Sequence, residues 1–211
     1  MWDRLRLIWC LTSSMLRHND YSIQNNRLRQ VERMKFFSRF LVALLLMVST
    51  AVTAAELPRD PHKFFFDESF WDMQEELEIA KEKGKKGIMI MFTMTECPFC
   101  HRMKTMVLNQ PDVQDYYKKN FQLFEVDIEG DVELVNFKGE STTMKDFAFK
   151  EYRVRATPVF AFFDLEGNYI PRSRFTGATK NKEEFNLLGK YVLDKAYEKE
   201  AFARYKRANL K

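Results

Sequence analysis

Two cysteines, Cys97 and Cys100, bracket Pro98 and Phe99 in a C-P-F-C motif. A thiol attacks a disulfide only as its thiolate. Free Cys has a pKa of ~8.5, and a C-x-x-C spacing at a helix N-terminus lowers it to ~3.5–7.5. The pair therefore suits thiol–disulfide exchange, with Cys97 as nucleophile and Cys100 as the resolving thiol that breaks a mixed disulfide from within. Cysteines this close enclose almost no loop, so the pair cannot staple a fold. Cys10 is the third and last cysteine and lies far upstream. Pro98 is rigid and Phe99 apolar, so neither puts charge between the sulfurs. Glu96 opposes a thiolate beside it, and His101 favours one when protonated, although solvent is its expected environment, as it is for His62. Two thiols with His101 could chelate zinc or copper. However, His101 adjoins Cys100 and no second Cys/His cluster exists, so no metal is expected. Thr157-Pro158 is a second candidate site, just ahead of an apolar run. Proline there must be an edge or entry residue of a sheet, and the residues by themselves favour its trans form.

The nucleophile needs a strand behind it and a helix ahead. Ile88 to Phe92 is an apolar run without alternation, as in a strand buried on both faces. A helix follows from the motif to about Leu108, with Pro98 in its first turn, where a missing N–H costs nothing. That puts Cys97 where the first amides are unpaired and the helix dipole is positive. Upstream, Asp67 is expected to cap a helix over 68–83, with Phe70, Met73, Leu77 and Ala80 inward and Gly84 as its stop. Downstream, the spacing predicts a short helix over 111–119, a strand over 121–128, an excursion or hairpin over 130–142 and a helix over 144–152. A strand over 159–163 then turns through Glu166-Gly167-Asn168 into a returning strand over 169–175. A long helix over 183–209 closes the chain. This order implies an α/β fold, a mixed central sheet flanked by helices.

The chain of 211 residues is 45% apolar, with 20 Phe, which supports a packed core. Its net charge of +4 is uneven: residues 1–54 hold 8 Lys/Arg against 3 Asp/Glu, leaving 26 against 27 in 55–211. The domain proper is therefore not basic, and no nucleic-acid partner is expected. Met34-Lys35 and Arg39, the apolar run Phe40 to Val48 and the small residues of 49–55 follow the order of a secretory signal. The run is shorter than the ~20 residues of a spanning helix, so cleavage is expected; retained, it would be a membrane anchor. The expected organisation is 1–33 as a gene-model extension or disordered tail, 34–55 as signal peptide, 56–66 as a leader opposed to regular structure by Pro58 and Pro61, and 67–211 as the domain. Location would then be periplasmic.

Strand, C-P-F-C, helix, then Thr157-Pro158 and a strand, a hairpin at Asp164–Gly167 and Gly177 before the last helix together resemble the thioredoxin superfamily over roughly 70–200. The insert 131–145 and the aromatic C-terminal helix are most similar to exported bacterial thioredoxin-like proteins, including those encoded with sulfur-oxidation genes. The resemblance implies a thioredoxin-like fold with an extra N-terminal helix, an insert and a long C-terminal helix. It implies a cis Thr157–Pro158 bond facing Cys97, whose loop pairs with substrate peptide and keeps metal off the thiols. It implies protein thiol or disulfide partners, a membrane electron donor of the thiol-transfer type, and no cofactor beyond the redox-active disulfide. The expected activity is reduction of periplasmic protein disulfides; a disulfide-forming oxidase and a redox-inactive binding module are the alternatives. The sequence departs from thioredoxin at Glu96, where Trp is usual, at Pro98-Phe99, where Gly-Pro is usual, and at Met91, where a buried Asp assists proton transfer. Glu125 and Asp127 are the candidates to replace that acid, against the blander expectation of exposed strand-end carboxylates.

Overall fold

The computed structural model describes residues 33, 34, 36 and 57–210. The expected extension 1–33, with Cys10, and the expected signal 34–55 lie outside the described residues, apart from Arg33, Met34 and Phe36. The leader is more ordered than its prolines suggested. Asp60 caps one helical turn, α1 (Pro61–Phe64), by accepting from the His62 amide at 3.0 Å. Pro61 begins that turn rather than opposing it. Phe65 and Phe66 then enter the core.

The helix expected from 68 starts later, as α2 (Met73–Glu82). Asp72, not Asp67, is its cap and accepts from the amides of Gln74 and Glu75. Trp71 takes a positive φ of 65° just before it. The chain changes direction there, and Phe70, expected inward, is 98% exposed. Met73, Leu77 and Ala80 do face the core, and Gly84 follows the helix with φ +66°. Asp67 instead docks on Leu123, donating its amide to the Leu123 carbonyl at 2.8 Å and accepting the Leu123 amide on its carboxylate at 2.9 Å.

Along the chain follow β1 (Ile88–Thr93), α3 (Pro98–Met106), α4 (Pro111–Asn120) and β2 (Gln122–Asp127). The excursion is a hairpin of β3 (Glu133–Val135) and β4 (Ser141–Thr143). One turn, α5 (Met144–Asp146), widens into a π-helical turn, Phe147–Glu151. Then come β5 (Val159–Phe163), β6 (Phe175–Thr176), α6 (Lys182–Leu193), a 3₁₀ turn (Ala196–Glu198) and α7 (Phe202–Asn209). The main sheet has the order β2-β1-β5-β6, with β1 parallel to β2 and antiparallel to β5.

Two expected elements are interrupted. The returning strand over 169–175 is reduced to a single bridge at Tyr169 and the two residues of β6, because Arg172 adopts φ +58° after Pro171. The C-terminal helix breaks at Lys195, φ +51°. The break folds α7 back, so that Phe202 and Tyr205 pack on Tyr191, whose hydroxyl donates to the Glu200 carbonyl at 2.7 Å.

All six residues of β1 are buried, and their alternation divides the core. Met89 and Met91 join Leu123, Phe160, Phe162, Tyr117, Phe185 and both motif cysteines on one face. Ile88, Ile90 and Phe92 join Phe124, Val126, Phe163 and α2 on the other.

Glu76 is the core's one poor fit on α2. It is 4% exposed, and its carboxylate accepts from Gln122 Nε2 at 3.4 Å, while Gln122 Oε1 is buried without a partner. Burial raises the Glu76 pKa; hydrogen bonds from Ser69 and Gln122 and the nearby Lys83 offset this only in part. A carboxyl whose folded pKa is raised costs stability above that pKa and costs nothing once protonated in both states. Glu76→Gln removes the cost and supplies a donor for Gln122 Oε1. It is expected to stabilise the protein by about 1 kcal/mol at pH 7, the worth of a hydrogen bond, with the gain disappearing in acid. Urea denaturation of both proteins at the two pH values checks this; an equal gain at both would disprove the titration argument.

Candidate active site

The C-terminal end of β1 delivers the chain through a three-residue loop, Met94 to Glu96, to Cys97, the N-cap of α3, with Pro98 in the first helical position. Cys97 and Cys100 form a disulfide. The pair is almost enclosed, with Cys97 8% and Cys100 3% exposed. Two donors meet Cys97 Sγ. The Cys100 amide donates to it at 3.0 Å, and Thr157 Oγ1 donates to it at 3.2 Å from sixty residues away. Donors so placed favour an anionic sulfur once the disulfide is reduced, because hydrogen bonds to the charged form lower an acid's pKa. The helix dipole acts in the same direction.

The Thr157–Pro158 peptide is cis. Pro158 is buried, and its carbonyl accepts from the Gly177 amide at 2.8 Å, tying this loop to β6. The structure thus brings Cys97, Cys100, Thr157 and Pro158 together. The remaining motif neighbours stand around them at the surface: Glu96, Pro98 and His101 are exposed, and Phe99 presents an apolar ring that is 59% exposed.

α3 is held from outside the motif. Met103 is fully buried, with Thr179 Oγ1 at 3.6 Å from its sulfur, and the Arg102 guanidinium donates to the Lys180 carbonyl at 3.1 Å. These contacts fix the helix end that addresses Cys97.

Sequence reasoning missed one feature. Glu125 is not an exposed strand-end carboxylate: its side chain is 16% exposed and pairs with Lys104 Nζ at 2.5 Å, while His62 Nδ1 lies 3.5 Å from its other oxygen. His62, expected to face solvent, does so with 61% of its side chain exposed, and also neighbours this pair. The available signal was Lys104, four residues beyond Cys100 and so on the same face of α3. Asp127 lines a cavity with Glu125 and Lys104. Among the described residues no group of three His, Cys, Asp or Glu side chains is arranged to hold a metal ion.

A family model for a thioredoxin-like domain matches residues 73–193. No curated protein sequence matches the chain. Among solved structures, the chain is similar to a thioredoxin-fold protein from Helicobacter pylori, at 22% identity over 59% of this chain and 82% of that one, TM-score 0.48. It is similar to a thioredoxin from Thermus thermophilus, at 24% identity over 62% and 91%, TM-score 0.46. It is also similar to the C-terminal domain of DsbD from Neisseria meningitidis in its reduced form, at 18% identity over 54% and 88%, TM-score 0.39.

Proposed function

The chain belongs to the family of thioredoxin-like domains, and from that premise we propose that it is an exported thiol–disulfide oxidoreductase that reduces disulfides of periplasmic proteins. The observation that carries the reading is Cys97 at the mouth of α3, its sulfur accepting from the Cys100 amide and the Thr157 hydroxyl. Those donors hold a thiolate in place, and a thiolate is the attacking species.

In the reduced protein, the Cys97 thiolate attacks one sulfur of the substrate disulfide. The Cys97–substrate bond forms, and the substrate S–S bond breaks to release a thiolate. Cys100 then loses its proton and attacks Cys97 Sγ. The intramolecular disulfide forms, the second substrate thiolate leaves and is protonated, and two electrons have passed to the substrate. A dithiol donor of the membrane-borne, thiol-transfer type returns them. No cofactor besides the cysteine pair is needed. Glu96, Pro98, Phe99 and His101 set the potential around the sulfurs, and Thr157-Pro158 positions the substrate backbone. Residues 34–55 serve as the export signal and 67–211 as the working domain. The exported, sulfur-oxidation-associated type and the reducing direction are supported by the resemblance of the motif, the insert and the C-terminal helices.

Equilibration with glutathione buffers tests this. Potentials in this fold run from about −270 mV for a reductase to about −120 mV for an oxidase. A value near the first is expected. A value near the second would reverse the direction, and a pair that never exchanges with glutathione would leave a binding module.

A further inference from the structure

The loop that carries Thr157-Pro158 to the sulfurs is flanked by arginines that no carboxylate answers. Arg155 stands two residues before Thr157, a span of at most ~7 Å, and Thr157 Oγ1 lies 3.2 Å from Cys97 Sγ. The Arg155 guanidinium is held 4.8 Å over the Phe149 ring. Arg174 precedes Gly177 by three residues, and the Gly177 amide donates to the Pro158 carbonyl. The Arg174 guanidinium donates to the Tyr152 carbonyl at 2.8 Å and to the Arg153 carbonyl at 3.4 Å. These bonds fix Arg174 beside Arg153, which itself adopts φ +50°. All three arginines are exposed. Among the described residues none of them pairs with an acidic side chain.

Arg153 and Arg174 also line a cavity of about 190 Å³. Its buried lining includes Phe92, Val159 and Ala161, and Val159 directly follows Pro158. Small-molecule sites run to ~300–1,000 Å³, so this space suits one side chain rather than a cofactor. Glu151 shares the lining, but its carboxylate accepts from Asn136 Nδ2 at 3.1 Å and pairs with neither arginine. Glu96 is the exposed carboxylate next to Cys97. Positive charge therefore follows the cis-proline side of the site, and negative charge adjoins the nucleophile. A guanidinium offers a planar fork of N–H donors that matches a carboxylate. The two bonds from Arg174 to carbonyls leave it further donors to give.

We propose that Arg153, Arg155 and Arg174 select partner proteins that carry acidic residues near the disulfide to be reduced. The proposal rests on the exchange reading above and names its substrate class. A peptide that crosses Cys97 and Pro158 runs on toward these arginines. An extended peptide advances ~3.3 Å per residue, so its acidic residues belong about three positions from the attacked cysteine. Acids closer to that cysteine meet Glu96 and are repelled. Complementary charge of this kind raises the encounter rate and suppresses wrong partners. The arginines take no part in the sulfur chemistry; they are positioning residues.

The test uses reduced protein and synthetic peptides, each closed by one disulfide and alike except for a Glu-Glu, Gln-Gln or Lys-Lys pair at that distance. Single-turnover reduction, followed by mass spectrometry of quenched samples, gives a second-order rate for each. Electrostatic steering raises association rates ~10–10³-fold, so at low salt the Glu peptide is expected to react at least about tenfold faster than the Lys peptide. At about 0.5 M salt, where screening acts over a few ångströms, the gap should close to within about twofold. Arg153→Glu should lower the ratio of Glu-peptide to Gln-peptide rates several-fold, and Arg155→Gln and Arg174→Gln should lower it by smaller factors. Mere loosening of the loop would slow all the peptides alike and leave that ratio where it was. An unchanged ratio in all three variants would therefore overturn the proposal. Equal rates for the peptides with the parent protein would overturn it too, as would a Glu preference that persists at high salt. If the parent reduces none of the peptides, the exchange reading itself fails.

Discussion

Serine in place of Cys97 is expected to reduce disulfide-reductase turnover by on the order of a thousandfold or more, since removing a nucleophile leaves only binding and positioning. Cys100→Ser is expected to behave differently. Cys97 still attacks, but the mixed disulfide has no internal resolver, and the protein accumulates covalently bound to its substrate. The structure supplies the asymmetry. Cys97 holds the helix N-cap and receives the Thr157 hydroxyl, whereas Cys100 lies a turn inside, 3% exposed. Insulin reduction with a dithiol donor, followed by mass spectrometry of the trapped species, reads both variants. Substantial turnover by Cys97→Ser would remove the catalytic assignment. Trapping through Cys100 but not Cys97 would invert the roles.

The second large effect belongs to the wall behind the site. Phe185 of α6 is fully buried, stacks on Tyr117 at 4.4 Å with planes 18° apart, and meets Phe160 edge-on at 4.9 Å. Room for closer adjustment is lacking: a Cβ on Gly189, one turn on, would stand 2.9 Å from Tyr116 and 3.0 Å from Tyr117. The Tyr117 hydroxyl is itself committed, donating to the Phe185 carbonyl at 2.5 Å, and burial pushes its pKa up. Phe185→Ala therefore leaves a cavity that rigid aromatic neighbours cannot fill. Such truncations cost about 3–5 kcal/mol, a large part of the 5–15 kcal/mol that typically holds a domain together. The cysteines share this core cluster, so loss of redox activity should accompany loss of structure. Urea denaturation of the oxidised protein measures the cost, and a loss under about 1 kcal/mol would show that the ring stack is not what braces the site.

The chemistry was legible where type and spacing coincide. Pro98 in the first turn places Cys97 on a helix N-terminus, and the unbroken apolar run from Ile88 marks a strand with two covered faces, which β1 is. Proximity across the chain was not legible from the residues themselves. Thr157 meets Cys97 only because β5 lies antiparallel beside β1, and nothing in the local sequence encodes that pairing. Glu125 was misjudged for a related reason: a carboxylate at a strand end is ordinarily solvated, and only packing of α1 and α3 against β2 supplies His62 and Lys104. Boundaries failed where one residue adopts a positive φ. At Trp71 and Lys195 the side chains carry no turn signature; beyond Lys195 the bend is accompanied by the packing of Phe202 on Tyr191. Phe70 shows the limit of periodicity, which extends back ahead of the point where the helix begins.

Sheet margins are where folded chains recruit one another, because unpaired amides and carbonyls template a further strand. Here Asp67 takes both backbone groups of Leu123 on the outer side of β2, and the opposite margin, β6, is only two residues long. A protein that exposes an apolar ring at Phe99 beside its cysteine pair is thereby spared a second adhesive surface, and stacking of copies into fibrils finds little backbone to start from.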